Sequence, residues 1–154
     1  MKKMIPVVLF IGLISNTVFG QYSTGTKTLG GLFSYRSTTP EGGDAVTTMT
    51  VNPSVGYFVT DNIAVSVGLD YTKVGEADAT TAYDLGGAYF MGNMYGGANY
   101  GSAGEDMSYL RLGGGYLHGL SESVFLDVNV GYQMGMGDWK VTTLGLGVGV
   151  VSFF

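Results

Sequence analysis

The sequence predicts an all-β chain, an eight-stranded antiparallel up-and-down β-barrel that spans a membrane, and three observations carry that expectation. Segments of about ten residues with apolar side chains on alternate positions recur along the chain, separated by turn-forming clusters. No stretch after residue 20 is apolar over the roughly 20 residues that a transmembrane helix needs. The composition agrees: 27 glycines and 11 tyrosines accompany only three prolines and 12% charged residues, and the mean hydropathy is positive at +0.25.

The alternating segments are 25–36, 47–59, 62–74, 81–91, 93–101, 106–118, 122–134 and 139–154. The first carries Tyr35 on its apolar face. In the second, Val51, Val55, Tyr57 and Val59 share one face, opposite Asn52 and Ser54. The third alternates Ile63, Val65, Val67, Leu69 and Tyr71 with Ser66 and Asp70. Tyr83 and Tyr89 mark the apolar face of the fourth, opposite Asp84. The fifth is poor in aliphatic residues and rests mainly on the tight turn expected at Gly92-Asn93. The sixth sets Tyr116 on one face and Arg111 on the other. Val124, Leu126, Val128, Val130 and Tyr132 line one face of the seventh, with Asp127, Asn129 and Gln133 opposite. The eighth alternates Leu144, Leu146, Val148 and Val150 with Gly145, Gly147 and Gly149. A face reduced to glycine suits the crowded inside of a small barrel.

Tyrosine positions set which face points outward. Tyr57, Tyr89 and Tyr116 lie beside the tight turns, and Tyr35, Tyr71, Tyr83 and Tyr132 lie beside the longer loops, all on the apolar face. Two tyrosine girdles with an aliphatic band between them are what amphipathic rings form at two membrane interfaces. At roughly 15 residues per strand and connection, a chain of this length makes eight strands, whose interior is filled by side chains.

The first twenty residues read separately. Met1-Lys2-Lys3 precedes an apolar run from Ile5 to Ile14, and small residues follow at Val18 and Gly20, the pattern of a secretory signal peptide cleaved before Gln21. The expected division is thus a signal peptide over 1–20 and one barrel domain over 21–154. From residue 21 onward, five basic side chains face twelve acids, a net charge of −7. That balance speaks against nucleic acid as a partner. The absence of cysteine excludes a disulfide framework.

The stretch Asn52-Pro53-Ser54-Val55-Gly56-Tyr57-Phe58-Val59-Thr60-Asp61-Asn62, the strand Ile63 to Tyr71 after it, and the closing strand that stops at Phe154 together resemble small outer-membrane β-barrel proteins. These form the broad OmpA/OmpX-like group often labelled a porin family. The resemblance implies an outer-membrane location and a monomeric barrel in contact with outer-membrane lipid and lipopolysaccharide. It also implies recognition of the terminal Phe154 by the barrel-assembly machinery.

By parity Arg111, Asp70, Asp84, Asp127 and Asn52 all point inward. A lone buried charge is very costly, so these groups are expected to form a polar network that fills the barrel. Folding the sixth and seventh strands about residue 119 predicts Arg111 opposite Asp127, and folding the second and third about Asp61 predicts Asn52 opposite Asp70. The alternative use of such an interior is a narrow pore for ions or very small solutes. A soluble exported barrel holding a ligand is the competing class.

No catalytic role is expected. His118, Ser121 and Glu122 offer hydrolase residue types, but neighbours in one turn cannot orient each other as nucleophile, base and orienter. One histidine and no cysteine give no transition-metal set, and nothing in the sequence requires a cofactor. Residues 89–100, rich in Gly, Tyr and Met, read as a flexible strand pair. The acids Glu41, Asp44, Glu76, Asp78, Glu105 and Asp106 fall in the longer loops without EF-hand spacing and read as a solvated rim.

Overall fold

The computed structural model describes residues 22–38, 46–103, 107–137 and 142–154. The signal-peptide segment, the acids Glu41, Asp44, Glu105 and Asp106, and the side chain of Arg36 lie outside the described residues. Eight strands follow in chain order: β1 (Lys27–Thr38), β2 (Val46–Phe58), β3 (Ile63–Val74), β4 (Thr80–Met91), β5 (Met94–Ser102), β6 (Met107–Gly119), β7 (Val124–Gly137) and β8 (Thr142–Phe153). Each pairs antiparallel with its chain neighbours, and β1 pairs with β8, so the sheet is a closed up-and-down barrel. The aliphatic-poor fifth segment forms the shortest strand, yet it is paired along its length with both β4 and β6.

The turns explain the registers. At β4–β5 the last pair is Met91↔Met94, and Gly92 takes φ +59° at the first central position, as a type II′ turn demands. At β2–β3 the Thr60 hydroxyl accepts from the Ile63 amide at 3.1 Å, closing the turn that carries Asp61. The β6–β7 hairpin folds about residue 122, not 119. Gly119 stays in the ladder opposite Phe125, and the turn forms beyond it, where Ser121 Oγ accepts from the Val124 amide at 3.2 Å. This corrects the expected register: Arg111 lies opposite Gln133, and Asp127 lies opposite Leu117. The displacement is an even number of residues, so both side chains keep the inward face.

Stepping from partner to partner around the barrel defines its stagger. Thr28, Gly56, Ser66, Gly86, Asn99, Arg111, Gln133 and Thr143 form one row. The β1–β8 register, extended, sets Thr143 opposite Thr38, ten residues beyond the start. A stagger of this kind tilts the strands and sets the barrel radius.

Alternation then sorts the side chains. Leu85, Leu144, Leu146 and Val67 point outward and are 64%, 69%, 82% and 51% exposed. Inside, the end that carries the short turns is filled by an aromatic cluster of Phe58, Phe125, Phe153 and Leu117, with Tyr22, Phe90 and Tyr95 packed against it. Tyr22 precedes β1 and folds back over this end, its ring 4.9 Å from Phe90 and 5.5 Å from both Phe58 and Phe153. Such ring pairs add to the area each residue buries.

Candidate functional site

The barrel interior is a candidate site built by several elements, and it has two polar groupings. The first lies toward the long-loop end. Arg111 Nη2 is 3.2 Å from Asp70 Oδ2, and Nε and Nη2 donate to Gln133 Oε1 at 3.2 and 2.9 Å. The Tyr109 hydroxyl also donates to Asp70 Oδ2, and the Arg111 guanidinium stands 5.2 Å from the centre of the Tyr109 ring. Asn52 Nδ2 donates to Asp70 Oδ1 at 2.7 Å and to Asp84 Oδ2 at 3.4 Å, while Asn99 Nδ2 donates to Asp84 Oδ1 at 2.7 Å. Asn52 and Asp70 sit across from each other because the flanking pairs Val51↔Tyr71 and Ser54↔Gly68 hold that register.

Asp127 is not part of this network. It lies six residues further along the β6–β7 ladder, about 20 Å from the level of Arg111 at strand rise. Its two carboxylate oxygens each accept from the Tyr95 hydroxyl at 2.9 Å, and Oδ2 accepts from Asn129 Nδ2 at 3.1 Å. The structure therefore brings Arg111, Asp70, Asp84 and Asn52 together and leaves Asp127 in a second group.

Residue-pattern reasoning missed Tyr95 and Tyr109. Both sit at inward parity, and each faces a glycine across the β5–β6 ladder: Tyr95↔Gly115 and Gly101↔Tyr109. The missing side chain makes room for the ring. A Cβ on Gly115 would come within 2.7 Å of the Tyr95 ring, and one on Gly101 would enter the Tyr109 ring. An inward tyrosine opposite a glycine is the signal that would have found them.

Between the aromatic end and the Arg111 layer lies a cavity of about 200 Å³, lined in part by Asn52, Asp84, Asn99, Asp127 and Asn129. Its size and the polar groups among its walls suit several water molecules. The described interior side chains hold three carboxylates and one guanidinium. Among the described residues no group of three or more His, Cys, Asp or Glu forms a metal-ligand set.

The tyrosines expected to form girdles point outward at both ends. Tyr57 and Tyr89 are exposed and Tyr116 is half-buried at the short-turn end; Tyr35, Tyr71, Tyr83 and Tyr132 are exposed at the other. Tyr100 joins the second set. Phe154 points outward too, with its backbone paired to Lys27 in both directions, at 2.8 and 3.0 Å, while its neighbour Phe153 enters the aromatic cluster. His118 is on β6 opposite Leu126, and the Ser121 hydroxyl is engaged in the turn.

Among the described residues outside the strands, two groups have displaced acidities. The Asp61 carboxylate accepts from the Thr24 amide and hydroxyl, both at 3.0 Å, and these bonds hold its pKa below the usual carboxylate value. Burial pushes the Tyr22 hydroxyl up to about 12.

No family model matches the chain, and no characterised protein matches its sequence. Among solved structures the fold is similar to one described as "De novo design of transmembrane beta-barrels", with a TM-score of 0.55 and 16% identity, covering 88% of this chain and all of that one. The likeness is one of fold: a closed, eight-stranded, all-antiparallel barrel resembling transmembrane barrels.

Proposed function

We propose that the chain is a small integral outer-membrane β-barrel protein with a structural or surface-interaction role and an interior closed to solute flow. The observation that carries this reading is the inversion of polarity. The outside bears an aliphatic belt between two sets of tyrosines, and the inside bears a hydrogen-bonded layer around Arg111 and Asp70. A soluble barrel places its apolar face inward; this one exposes it, as a lipid-facing wall does. The partners that fit are outer-membrane lipid and lipopolysaccharide, reached after export through a cleaved signal peptide, with assembly read from Phe154. The barrel acts as a monomer and performs no catalysis in this reading.

A narrow pore is the second reading, favoured by the polar cavity and opposed by Phe58, Phe125 and Leu117, which are fully buried across one end. Fractionation and gel mobility test the membrane assignment: the mature protein is expected in the outer-membrane fraction with heat-modifiable migration, and recovery as a soluble periplasmic protein sinks it. Planar-bilayer recording separates the two readings. The plugged barrel gives no steady unitary current, and large reproducible steps assign a pore.

A further inference from the structure

The β1–β8 ladder is short. It holds six pairs, from Thr28↔Phe153 to Phe33↔Val148, with Lys27 and Phe154 bonded just below them, whereas every other neighbouring pair of strands holds at least nine. Both strands continue past its end, β1 to Thr38 and β8 back to Thr142. The extended register would add five pairs, Ser34 with Gly147 through Thr38 with Thr143, and none is formed among the described residues. The local surroundings agree with a slot. A Cβ on Gly145 would meet nothing within 4 Å, and Leu146 beside it is 82% exposed, the highest of the large apolar side chains.

Directly below the slot, on the outer face, lies an open groove of about 420 Å³. It is lined by Phe33, Val51, Pro53, Leu126, Val148 and Val150 around the glycines Gly31 and Gly149. Its upper boundary, Phe33↔Val148, is the last pair of the ladder. The groove and the interior cavity share Gly31, Leu32 and Val150 as walls. On the inner side of the slot, Asn129 pairs with Gly147 and Gln133 pairs with Thr143, and Gln133 holds the Arg111 guanidinium.

From this juxtaposition we propose that the β1–β8 seam is a binding site for one membrane phospholipid, with an acyl chain in the groove and the phosphate in the slot. The site rests on the membrane reading above. Backbone donors and acceptors left without a strand partner call for polar neighbours, so the slot suits a polar occupant. Tyr35, at the girdle of the long-loop end, lies within the unzipped segment, which places the slot at head-group depth. Below it the groove has no polar side chain and sits at hydrocarbon depth. A phospholipid is polar above and apolar below in this same order. The unzipped strand edges, with Gln133 one strand away on the inner face and Arg111 one strand further, supply donors for a phosphate.

The test uses the full-length protein reconstituted in vesicles of phosphatidylcholine with a minor fraction of phosphatidylglycerol. Leu29→Cys with Ser152→Cys, a formed pair, is expected to oxidise to a disulfide; Tyr35→Cys with Leu146→Cys is not, because the slot holds those backbones apart. Native mass spectrometry after mild detergent release is expected to find one retained phospholipid per barrel. Gly31→Leu fills the groove from a position where a Cβ meets only ordinary contacts, 3.6 Å from Asn52 O, so the barrel keeps its heat-modifiable fold. Retained lipid is expected to fall about tenfold in that variant. Equal oxidation of the two cysteine pairs, no retained lipid in the parent, or undiminished lipid in folded Gly31→Leu overturns the site. Failure of the parent to insert into vesicles overturns the membrane reading and the site with it, an outcome that flotation distinguishes.

Discussion

The ring of Tyr109 lies over Gly101, its partner across β5 and β6, and from there its hydroxyl reaches Asp70. The glycine is therefore part of how the carboxylate is held, although it touches no charge. Gly101→Ala would drive a methyl into the ring and force Tyr109 away from Asp70. Overpacking of this kind costs about 1–3 kcal/mol. Urea titration of the folded barrel in vesicles is expected to show that loss, while alanine at Gly145, where a Cβ meets open space, stays near the parent value. Equal effects at the two glycines would remove the steric role given to Gly101.

Arg111 couples to Asp70 and not to Asp127. The guanidinium is 3.2 Å from Asp70 and both side chains are partly buried, so Arg111→Ala leaves a carboxylate uncompensated at about 3–5 kcal/mol. The double variant with Asp70→Ala is expected to recover part of that loss, a coupling of about 0.5–3 kcal/mol. Arg111→Ala with Asp127→Ala should be additive, because Asp127 belongs to Tyr95 and Asn129. Coupling of Arg111 to Asp127 in the vesicle unfolding cycle would restore the register that folds about residue 119.

Period-two alternation made the eight strands and the inward parity of Arg111, Asp70 and Asp84 legible, because one step of slip would exchange the faces everywhere. Register was legible where a turn is short and its residues are particular, as at Asp61, which sets Asn52 across from Asp70. It was not legible at Gly119. A glycine permits a turn without requiring one, and the cap on Ser121 moves the turn three residues on. Contacts across the barrel, such as Tyr109 to Asp70 between β6 and β3, depend on stagger and closure and leave no mark in neighbouring residues. The partial seam between β1 and β8 escapes sequence reading for the same reason, since the two strands stand at opposite ends of the chain.

The outward belt makes a depth-dependent prediction. Val67 is exposed midway along β3, between Ile63 at one end and Tyr71 near the other. Val67→Arg is expected to cost about 2–4 kcal/mol in vesicles, as a guanidinium at the bilayer midplane does. Ile63→Arg, on the same face at the strand end, should cost about 0–1 kcal/mol. Equal costs would show that β3 does not cross a bilayer. In a soluble barrel both arginines would face water and neither would matter.

The strap formed by Thr24 responds to acid. Asp61, at the β2–β3 turn, accepts from both the Thr24 amide and its hydroxyl, which ties the segment before β1, including Tyr22, across the short-turn end. The bond from the amide is the larger cause of the lowered Asp61 pKa, and the hydroxyl adds to it. Both bonds need the ionised carboxylate. Because the folded pKa is depressed, the strap's contribution is fully present above the ordinary carboxylate value of 3.8 and is lost as pH falls through the lower folded value. Asp61 is fully exposed, so the effect is local and leaves the barrel folded. Hydrogen exchange at the Thr24 amide, measured in detergent, should be protected at neutral pH and lose protection only below the normal aspartate range. Asp61→Ala should abolish the protection at every pH. Protection that persists unchanged in Asp61→Ala would show that the Tyr22 ring packing alone holds the strap.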